Sequence, residues 1–164
     1  MLIRPAVLAD IPAVLLMVAK IYALHEAWDS AKYGFLPEQT QRYEQWLLGR
    51  VTDERSVFLV ADPELSYPEA PAGLAAFLVA TTEREIPIYR LQEFGFIQDL
   101  WVEPEYRHTG IARQMVMLTV DYFRHRGVKQ VRLDTAVPNE AARQLFKSCG
   151  FRPSMIEMLI ELED

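Results

Sequence analysis

The sequence predicts a single domain, residues 1–164, of the α/β or α+β class, in which helices pack on a mixed sheet. Three observations support this prediction. The chain has 164 residues, of which 51% are apolar and 24% charged, which is typical of one globular domain. Apolar residues follow strand and helix periods in alternation along the chain. Proline and glycine separate these segments, and the sequence contains neither a repeat nor a low-complexity tract.

In the first half of the chain, the pattern of apolar residues predicts three strands and two helices. Asp10 has the character of an N-cap, and apolar residues at helical spacing continue to Tyr22, about four turns of helix. The apolar face of the second helix carries Tyr43, Trp46 and Leu47. The predicted segments are a strand over 2–7, the helix from Asp10, a loop over 26–37, a helix over 38–48, and strands over 56–61 and 72–82 on either side of a proline-rich stretch.

The second half predicts three further strands and two helices. The strand over 94–102 is apolar on both faces, which is typical of a central strand. Ile111, Met115, Leu118 and Tyr122 form the apolar stripe of a helix that ends at Gly127. The remaining predicted segments are a strand over 128–137, a helix between Asn139 and Gly150, and a last strand of alternating character over 155–162.

Composition and charge argue against several classes of protein. The single cysteine, Cys149, forms neither an internal disulfide nor a tetrahedral zinc site, so we predict a cytoplasmic protein without a metal. The longest apolar run, 13–19, is far shorter than the roughly 20 residues of a membrane span, so neither a membrane nor a secretory segment is expected. The net charge of −6, from 17 Lys and Arg against 23 Asp and Glu, disfavours nucleic acid as a partner.

A candidate anion-binding turn lies between the central strand and the helix that follows it. Gly110 and Ala112 allow a ligand to approach the backbone where the N–H groups of the first helical residues are free. Arg107 and Arg113 add positive charge at the same place. The turn is neither a Walker loop nor the three-glycine dinucleotide fingerprint. A tight turn that binds no ligand is the alternative interpretation.

Three stretches of the chain resemble the GNAT superfamily of N-acetyltransferases. The turn matches the acyl-CoA pyrophosphate loop of that family through Val102, Pro104, Arg107, Gly110 and Ala112. Residues 139–151 are similar to its closing motif, and residues 3–6 with 10–11 are similar to its usual start. The resemblance covers nearly the whole chain. It implies a mostly antiparallel sheet of six to seven strands with about four helices, in which two central strands splay apart.

The resemblance also implies acetyl-CoA as cosubstrate, held between the splayed strands and at the turn. The free amide near Leu100 or Trp101 would be the oxyanion donor. For Asn139, capping of a helix is an alternative to ligand contact, and for Phe146 the alternative is a place in the core. The residues assigned to the CoA site are Leu100, Trp101, Val102, Arg107, His108, Thr109, Gly110, Ile111, Ala112, Arg113, Asn139 and Phe146.

Direct attack of an amine on a thioester needs a deprotonated amine, so a base is expected in the site. The candidate is Asp99, because the family often has a carboxylate in this strand; the alternative is a structural role. Weaker candidates are Glu93, Glu26 and Asp29. Strict alternation would place Gln98 and Leu100 on one face of the strand and Asp99 and Trp101 on the other.

The resemblance fails at one position that bears on catalysis. Phe146 stands where the family commonly has a tyrosine that donates a proton to the departing thiolate. Tyr106, Tyr89 or water would take that role. We predict acetyl transfer to a primary amine within a ternary complex, and the alternative is an acyl-CoA-binding domain with weak or no activity.

The acceptor pocket is expected in the segments that the family varies. These segments are aromatic and acidic here, which favours a cationic amine of a small molecule or peptide as acceptor. In the alternative interpretation the aromatic residues close the end of the core or form the interface of a homodimer. The candidate acceptor residues are His25, Trp28, Asp29, Tyr33 and Tyr89.

Overall fold

Four strands pair antiparallel in chain order, and a fifth joins the last of them in parallel. The structure is a computed structural model that describes residues 1–63 and 73–162. The strands are β1 (Leu2–Pro5), β2 (Ser56–Asp62), β3 (Ala76–Arg84), β4 (Glu93–Val102) and β5 (Val131–Arg132). The helices are α1 (Ile11–Trp28), α2 (Gln39–Val51), α3 (Ile111–His125) and α4 (Glu140–Ser148). The predicted fold class, a mixed sheet with about four helices, is confirmed.

Helices α1 and α2 cover one face of the sheet. The buried residues of α1 recur at helical spacing and pack in one cluster with side chains of β2 and β3. By length and composition alone, residues 8–28 form a helix that could cross a membrane. Part of its apolar content forms the buried face, which consists of Ile11, Val14, Met17, Val18 and Ile21, whereas Leu16 and Leu24 are exposed.

The predicted face of α2 is also confirmed. Leu47 is fully buried, and Tyr43 and Trp46 pack beside it against the same cluster. The helix continues three residues beyond the predicted end, to Val51. Helix α1 likewise runs on to Trp28, so the connecting loop is shorter than the predicted 26–37.

Helices α3 and α4 cover the opposite face. Ile111, Met115 and Phe123 of α3 are buried there, and Phe146 of α4 joins the same cluster. Leu118 is 48% exposed, so its predicted place in the buried stripe is wrong. The buried face of α3 instead contains residues four apart: 111, 115, 119 and 123. The helix is therefore rotated slightly from the orientation that its most apolar residues predict.

Asp10 precedes α1 as predicted, but its side chain does not cap the helix. Its carboxylate accepts hydrogen bonds from Arg4 Nη1 at 2.7 Å and from the backbone N–H of Val7 at 2.8 Å. Arg4 also pairs with Asp62 at 3.0 Å. The carboxylate of Asp10 therefore holds β1 to the turn after it. It binds Arg4 rather than the amides of α1, because a hydrogen bond between two charged groups is stronger than one to a neutral amide.

The sheet has five strands rather than six to seven among the described residues. The predicted strand over 128–137 is reduced to Val131–Arg132, because residues 133–137 diverge from β4 and lose their ladder partner. Residues 155–162 form no ladder with any described strand. The predicted start of the third strand at Ala72, and most of the proline-rich stretch before it, lie outside the described residues.

A β-bulge in β4 changes which side chains share a face. Asp99 pairs with Val79 and Ile97 with Ala80, so Gln98 is the additional residue. Gln98 Nε2 donates to Thr81 Oγ1 at 2.9 Å, and Thr81 lies two residues from Val79 on the face covered by α1 and α2. Gln98 and Asp99 therefore both point to that face, and the predicted pairing of Gln98 with Leu100 is wrong.

Gly95 lies where β4 passes closest to α3. A Cβ built there would stand 2.6 Å from two ring atoms of Phe123, which is fully buried. We expect Gly95→Ala to lower the free energy of unfolding by about 1–3 kcal/mol, because the ring has no room to withdraw. The matched control is Gly49→Ala in α2, where a Cβ meets nothing within 4 Å. It should raise that free energy by about 0.5–1 kcal/mol. Urea denaturation measures both, and equal stability of the two variants would contradict the packing described.

Candidate active site

The candidate cofactor cleft lies where β4 and β5 separate. The two strands pair at two positions, Gly95 with Val131 and Phe96 with Arg132. β4 then continues to Val102, whereas residues 133–137 leave the sheet. In the described part of the chain, residues 97–102 therefore have β3 on one side and no strand on the other. This confirms the predicted splaying of two central strands.

The hydrogen bonds of β4 show which main-chain groups face this cleft. The N–H of Glu103 donates to Ala75 O at 2.9 Å, so Glu103 points towards the β3 side. In an antiparallel ladder the direction alternates, so the main-chain groups of Trp101 point to β3 and those of Leu100 and Val102 point into the cleft. Val102 O accepts a hydrogen bond from Arg107 Nε at 3.0 Å. The amide of Leu100 is thus oriented towards the cleft, whereas that of Trp101 is not.

The turn before α3 forms a concave group of backbone amides. His108 and Gly110 both have a positive φ, 61° and 86°. Among the described residues, the amides from His108 to Arg113 donate no hydrogen bond within the protein. A Cβ added at Gly110 would meet only Gln114 Nε2, at 3.9 Å, and would otherwise point into open space. The turn therefore has donors and room for an anion at the positive end of the helix.

Side chains of this turn fix its shape. Thr109 Oγ1 donates to Tyr106 O at 2.7 Å. The guanidinium of Arg107 lies over the Trp101 ring, 4.9 Å from its centroid, while its Nε bonds Val102 O. Arg107 thus links the end of β4 to the turn and is not simply a free charge in the cleft. Glu103, which is buried, accepts from Trp101 Nε1 at 3.2 Å and from Lys20 Nζ at 2.6 Å.

Asn139 and Phe146 have clear structural roles. Asn139 Oδ1 accepts a hydrogen bond from the N–H of Ala142 at 3.1 Å and so caps α4. Phe146 is 8% exposed and packs edge-on against Phe151, with ring centroids 5.5 Å apart. The structure therefore shows Asn139 as a helix cap and Phe146 as a core residue, which were the alternative interpretations of the two residues.

Asp99 lies on the face of β4 that α1 and α2 cover. Its Oδ2 accepts a short hydrogen bond from the hydroxyl of Tyr43 in α2. Tyr22 and His25 of α1 are near enough for the charge of Asp99 to act on both. The carboxylate thus lies between the two helices and the strand, one residue before the amide of Leu100.

Burial controls protonation in this group. It raises the pKa of Asp99 above its ordinary value, while the hydrogen bond from Tyr43 and the neighbouring His25 lower it. Burial and the charge of Asp99 raise the pKa of Tyr43 and of Tyr22, so both phenols stay protonated. Burial lowers the pKa of His25, and Asp99 opposes that effect. A carboxylate with a raised pKa is thus surrounded by neutral aromatic side chains.

Aromatic rings from α1, α2 and the loop between them pack in two groups, together called the aromatic cluster, and each group includes a ring near Asp99. Tyr22 stacks on Phe35 with centroids 4.4 Å apart and meets Tyr43 edge-on at 5.9 Å. His25 stacks on Tyr33 at 4.7 Å and contacts Trp28 at 5.5 Å. The structure therefore brings together three of the predicted acceptor residues, His25, Trp28 and Tyr33.

Other predicted residues lie elsewhere or are engaged. Asp29 ends α1, and its Oδ1 accepts from the N–H of Lys32 at 3.1 Å, which shapes the following turn. Tyr89 is 53% exposed in the loop between β3 and β4, and its described contacts stay within that loop. Glu93 pairs with Arg55 at 2.8 Å at the far end of β4, which holds its pKa low. Glu26 is exposed on α1. The carboxylates of Asp29, Glu93 and Glu26 thus do not lie between α1, α2 and β4, where that of Asp99 lies.

Sequence reasoning did not assign Tyr43 to the site. It placed Tyr43 on the apolar face of a helix, where a tyrosine has the same spacing as any core residue. The sequence did hold one signal: Tyr43 is a tyrosine among apolar residues, and a tyrosine hydroxyl needs a hydrogen-bond partner when it is buried. That the partner is Asp99, 56 residues later, depends on how α2 crosses the sheet.

Residues 21–151 match the acetyltransferase (GNAT) family. This match spans most of the chain and includes the cleft, the turn before α3 and Asp99. The chain belongs to the GNAT acetyltransferase family. GNAT enzymes use acetyl-CoA as acetyl donor. Among residues 1–63 and 73–162, no three His, Cys, Asp or Glu side chains come together as a metal site would require.

Curated relatives match a shorter stretch than the family does. N-alpha-acetyltransferase 30 of Schizosaccharomyces pombe is 37% identical over 57 residues, which are 35% of this chain and 38% of that protein. A probable N-acetyltransferase camello of Xenopus tropicalis is 33% identical over 66 residues, 40% of this chain and 30% of that protein. The chain thus matches only 38% and 30% of the length of these two relatives.

Solved structures match over nearly the full chain. A mutant of the BH1408 protein of Bacillus halodurans has a TM-score of 0.84 at 22% identity, covering 99% of this chain and all of that one. An aminoglycoside 6'-N-acetyltransferase of Acinetobacter haemolyticus has a TM-score of 0.71 at 16% identity, covering 100% of this chain and 99% of that one. At these identities the likeness shows the GNAT fold.

Proposed function

We propose that this GNAT enzyme transfers the acetyl group of acetyl-CoA to a cationic primary amine of a small molecule or peptide, by direct attack within a ternary complex. One observation carries the proposal: Asp99 lies between a cluster of aromatic side chains and the main-chain amide of Leu100, which faces the cleft. Aromatic faces beside a carboxylate suit an amine, and the amide suits the carbonyl oxygen that the amine attacks.

The cofactor side of the site fits the acyl donor. The free amides of 108–113 and the helix dipole of α3 would hold the pyrophosphate, and the open space at Gly110 leaves room for it. The cleft beside 97–102 would receive the pantetheine arm against the main chain of Leu100 and Val102. Acetyl-CoA bound in this way would supply a thioester carbonyl beside Leu100, on the side of β4 nearest the aromatic cluster.

Residues of the chain then act on the acceptor and on the developing charge. Asp99 as a carboxylate first binds the ammonium group and then takes its proton, directly or through water, which leaves the amine lone pair free to attack. The N–H of Leu100 stabilises the negative charge that develops on the carbonyl oxygen. The new N–C bond forms as the C–S bond breaks, and the nitrogen gives its second proton to solvent to become the amide. CoA leaves as a thiolate that takes a proton from water or Tyr106. Phe146 has no proton to give and is buried in the core.

The aromatic cluster supports a cationic acceptor. Tyr22, His25 and Tyr43 are held neutral, so their rings present electron-rich faces beside a carboxylate. Aromatic faces and one carboxylate are the usual means by which proteins recognise a desolvated cation. The names of the relatives, an N-alpha-acetyltransferase and an aminoglycoside 6'-N-acetyltransferase, also refer to amine acceptors.

The test is release of free thiol from acetyl-CoA across a panel of acceptors. The panel pairs each primary amine with its hydroxyl analogue and includes peptides with a free or a blocked N-terminus. We expect turnover with at least one cationic amine and none with the matched neutral compound. Tight binding of CoA with no thiol release for any amine would contradict the proposal and favour an acyl-CoA-binding domain without turnover.

Tyr43 is proposed as the residue that positions Asp99 and keeps it ionised. Because the phenol donates to the carboxylate, its removal should raise the pKa of Asp99 further. We expect Tyr43→Phe to shift the acidic limb of the pH profile of kcat to higher pH, since the active carboxylate is lost at a higher pH as acid is added. The profile is measured with the same acceptor for both enzymes.

The control for this experiment is Tyr122→Phe. Tyr122 donates its hydroxyl to Glu54 O on the opposite face of the sheet, so the same atom is removed away from Asp99. The control should keep the acidic limb of the wild-type enzyme. A limb that stays in place in Tyr43→Phe, with activity lowered at every pH, would show a merely structural role for Tyr43.

A further inference from the structure

The side chain of Arg107 lies in the cleft between β4 and the residues that follow β5. Its Nε donates a hydrogen bond to Val102 O at 3.0 Å. The amide of Glu103 is bonded to β3, so the main-chain groups of Val102, one residue earlier, point away from β3 and into the cleft. A donor that reaches Val102 O from that side therefore lies within the cleft, and it occupies a carbonyl that a ligand in the cleft would need.

The contacts of Arg107 in this position involve no anion. Its guanidinium lies over the Trp101 ring, 4.9 Å from the centroid, and its Nε is bonded to a neutral carbonyl. Among residues 1–63 and 73–162, no carboxylate pairs with Arg107, and the residue is exposed. A hydrogen bond between a guanidinium and a phosphate is about twice as strong as one between neutral groups. A diphosphate at the turn before α3 would therefore be a better partner for Arg107 than Val102 O.

The Trp101 ring, in contrast, is held in place from two sides. Its Nε1 donates to Glu103 Oε2 at 3.2 Å, and the buried carboxylate of Glu103 pairs with Lys20 of α1 at 2.6 Å. The ring also packs against the core cluster beneath α1 and α2. Of the two groups in this contact, the exposed Arg107 side chain is thus the one that is free to move.

We propose that Arg107 exchanges between Val102 O and the diphosphate of the cofactor, and that this exchange opens the cleft to the pantetheine arm. On Val102 O, the side chain fills the cleft where the arm would pass. On the diphosphate, it adds its charge to the amides that directly follow it in the chain, and Val102 O is free to accept an N–H of the arm. The two halves of the cofactor are thereby coupled through one side chain. The inference rests on the proposed mode of acetyl-CoA binding.

The first test measures the Kd of each half of the cofactor separately by calorimetry, with ADP for the diphosphate and pantetheine for the arm. Arg107→Met keeps an apolar stem but removes the Nε donor and the charge. We expect it to bind pantetheine at least about fivefold more tightly, because the cleft is then open in every molecule. We expect it to bind ADP at least about fivefold more weakly, because a charge-assisted contact is lost. A side chain that only supported the turn would weaken both.

The matched control is Arg126→Met at the other end of α3. The guanidinium of Arg126 also lies over an aromatic ring, 5.0 Å from the centroid of Tyr122, so the control removes the same charge and the same kind of contact. Both Kd values should equal those of the wild-type protein. Pantetheine binding that is unchanged or weaker in Arg107→Met would overturn the proposal. Equally tight pantetheine binding in Arg126→Met would overturn it too, since loss of charge alone would then be the cause.

A second test follows Arg107 in the wild-type protein through the fluorescence of Trp101. Saturating ADP should change the emission of this tryptophan, because the guanidinium leaves its ring. The signal is assigned with Trp101→Phe, which keeps Trp28 and Trp46 and should show no change. ADP that binds the wild-type protein without changing the emission of Trp101 would overturn the exchange.

These measurements separate the exchange from the proposed function, because none of them depends on acetyl transfer. A wild-type protein that binds neither ADP nor acetyl-CoA would overturn the proposed cofactor site, and this inference with it. Normal binding of acetyl-CoA, together with weaker pantetheine binding in Arg107→Met, would overturn the exchange alone.

Discussion

Asp99→Asn should lower kcat/KM for amine acetylation by about 10²- to 10⁴-fold, the contribution usual for a general base. Asparagine has the shape of aspartate and still accepts the hydrogen bond from Tyr43, but it neither takes a proton nor pairs with an ammonium group. The remaining activity should rise with pH towards the pKa of the free amine, near 10, because the acceptor must then lose its proton to solvent. Steady-state kinetics at several pH values measures both effects.

Two controls accompany this variant. The Kd for acetyl-CoA should be unchanged, because the side chain of Asp99 lies on the face of β4 that carries the aromatic cluster. Glu93→Gln removes a second carboxylate from the same strand, at the end where Glu93 pairs with Arg55. It should retain wild-type turnover. Full activity in Asp99→Asn, or a comparable loss in Glu93→Gln, would remove Asp99 from its assigned role.

Gly110→Glu should weaken acetyl-CoA binding at least about tenfold, or about 1.4 kcal/mol. The new side chain begins in the open space that the free amides surround, and its charge repels a pyrophosphate there. The backbone also matters, because φ at Gly110 is +86°, which costs a residue with a side chain about 1–2 kcal/mol. Isothermal calorimetry gives the Kd, and thermal unfolding gives the stability.

The chain offers a matched control for the backbone effect at the other end of α3. Gly127 has φ +77°, and a Cβ there meets nothing within 4 Å. Gly127→Glu therefore introduces the same side chain with the same strain, but away from the turn. It should lose a similar amount of stability and bind acetyl-CoA normally. If both variants bind equally well, the amides before α3 do not hold the pyrophosphate.

The sequence predicted the structure correctly where neighbouring residues determine the local conformation. The turn from Arg107 to Ala112 was predicted from small residues and free helix amides, and the structure has a left-handed backbone at Gly110, which glycine adopts at no steric cost. For Asn139, which was assigned to the CoA site with a helix cap as the alternative, the structure shows the cap. The helices were found because their buried faces repeat every three to four residues.

Predictions that depended on strict periodicity failed where long-range packing interrupts it. Alternation along β4 put Gln98 on the wrong face, because the bulge adds one residue opposite β3. Leu118 fits the stripe of α3 by hydrophobicity, but the helix is rotated so that residue 119 faces the sheet. The alternating pattern of 155–162 predicted a strand, yet a strand needs a neighbour, and no described strand pairs with these residues. A cytoplasmic location stays a prediction.

The sequence by itself determined the class of fold, the order of its helices and first five strands, and the turn with free amides before α3, because each depends on the conformational preferences of adjacent residues. Only the tertiary structure decided that Tyr43 meets Asp99, that Leu100 rather than Trp101 turns its amide into the cleft, and that Arg107 stacks on Trp101. These relations join residues on different elements, or depend on which edge of a strand is paired. They are settled by how the helices cross the sheet, and the periodicity of one segment carries no information about that crossing.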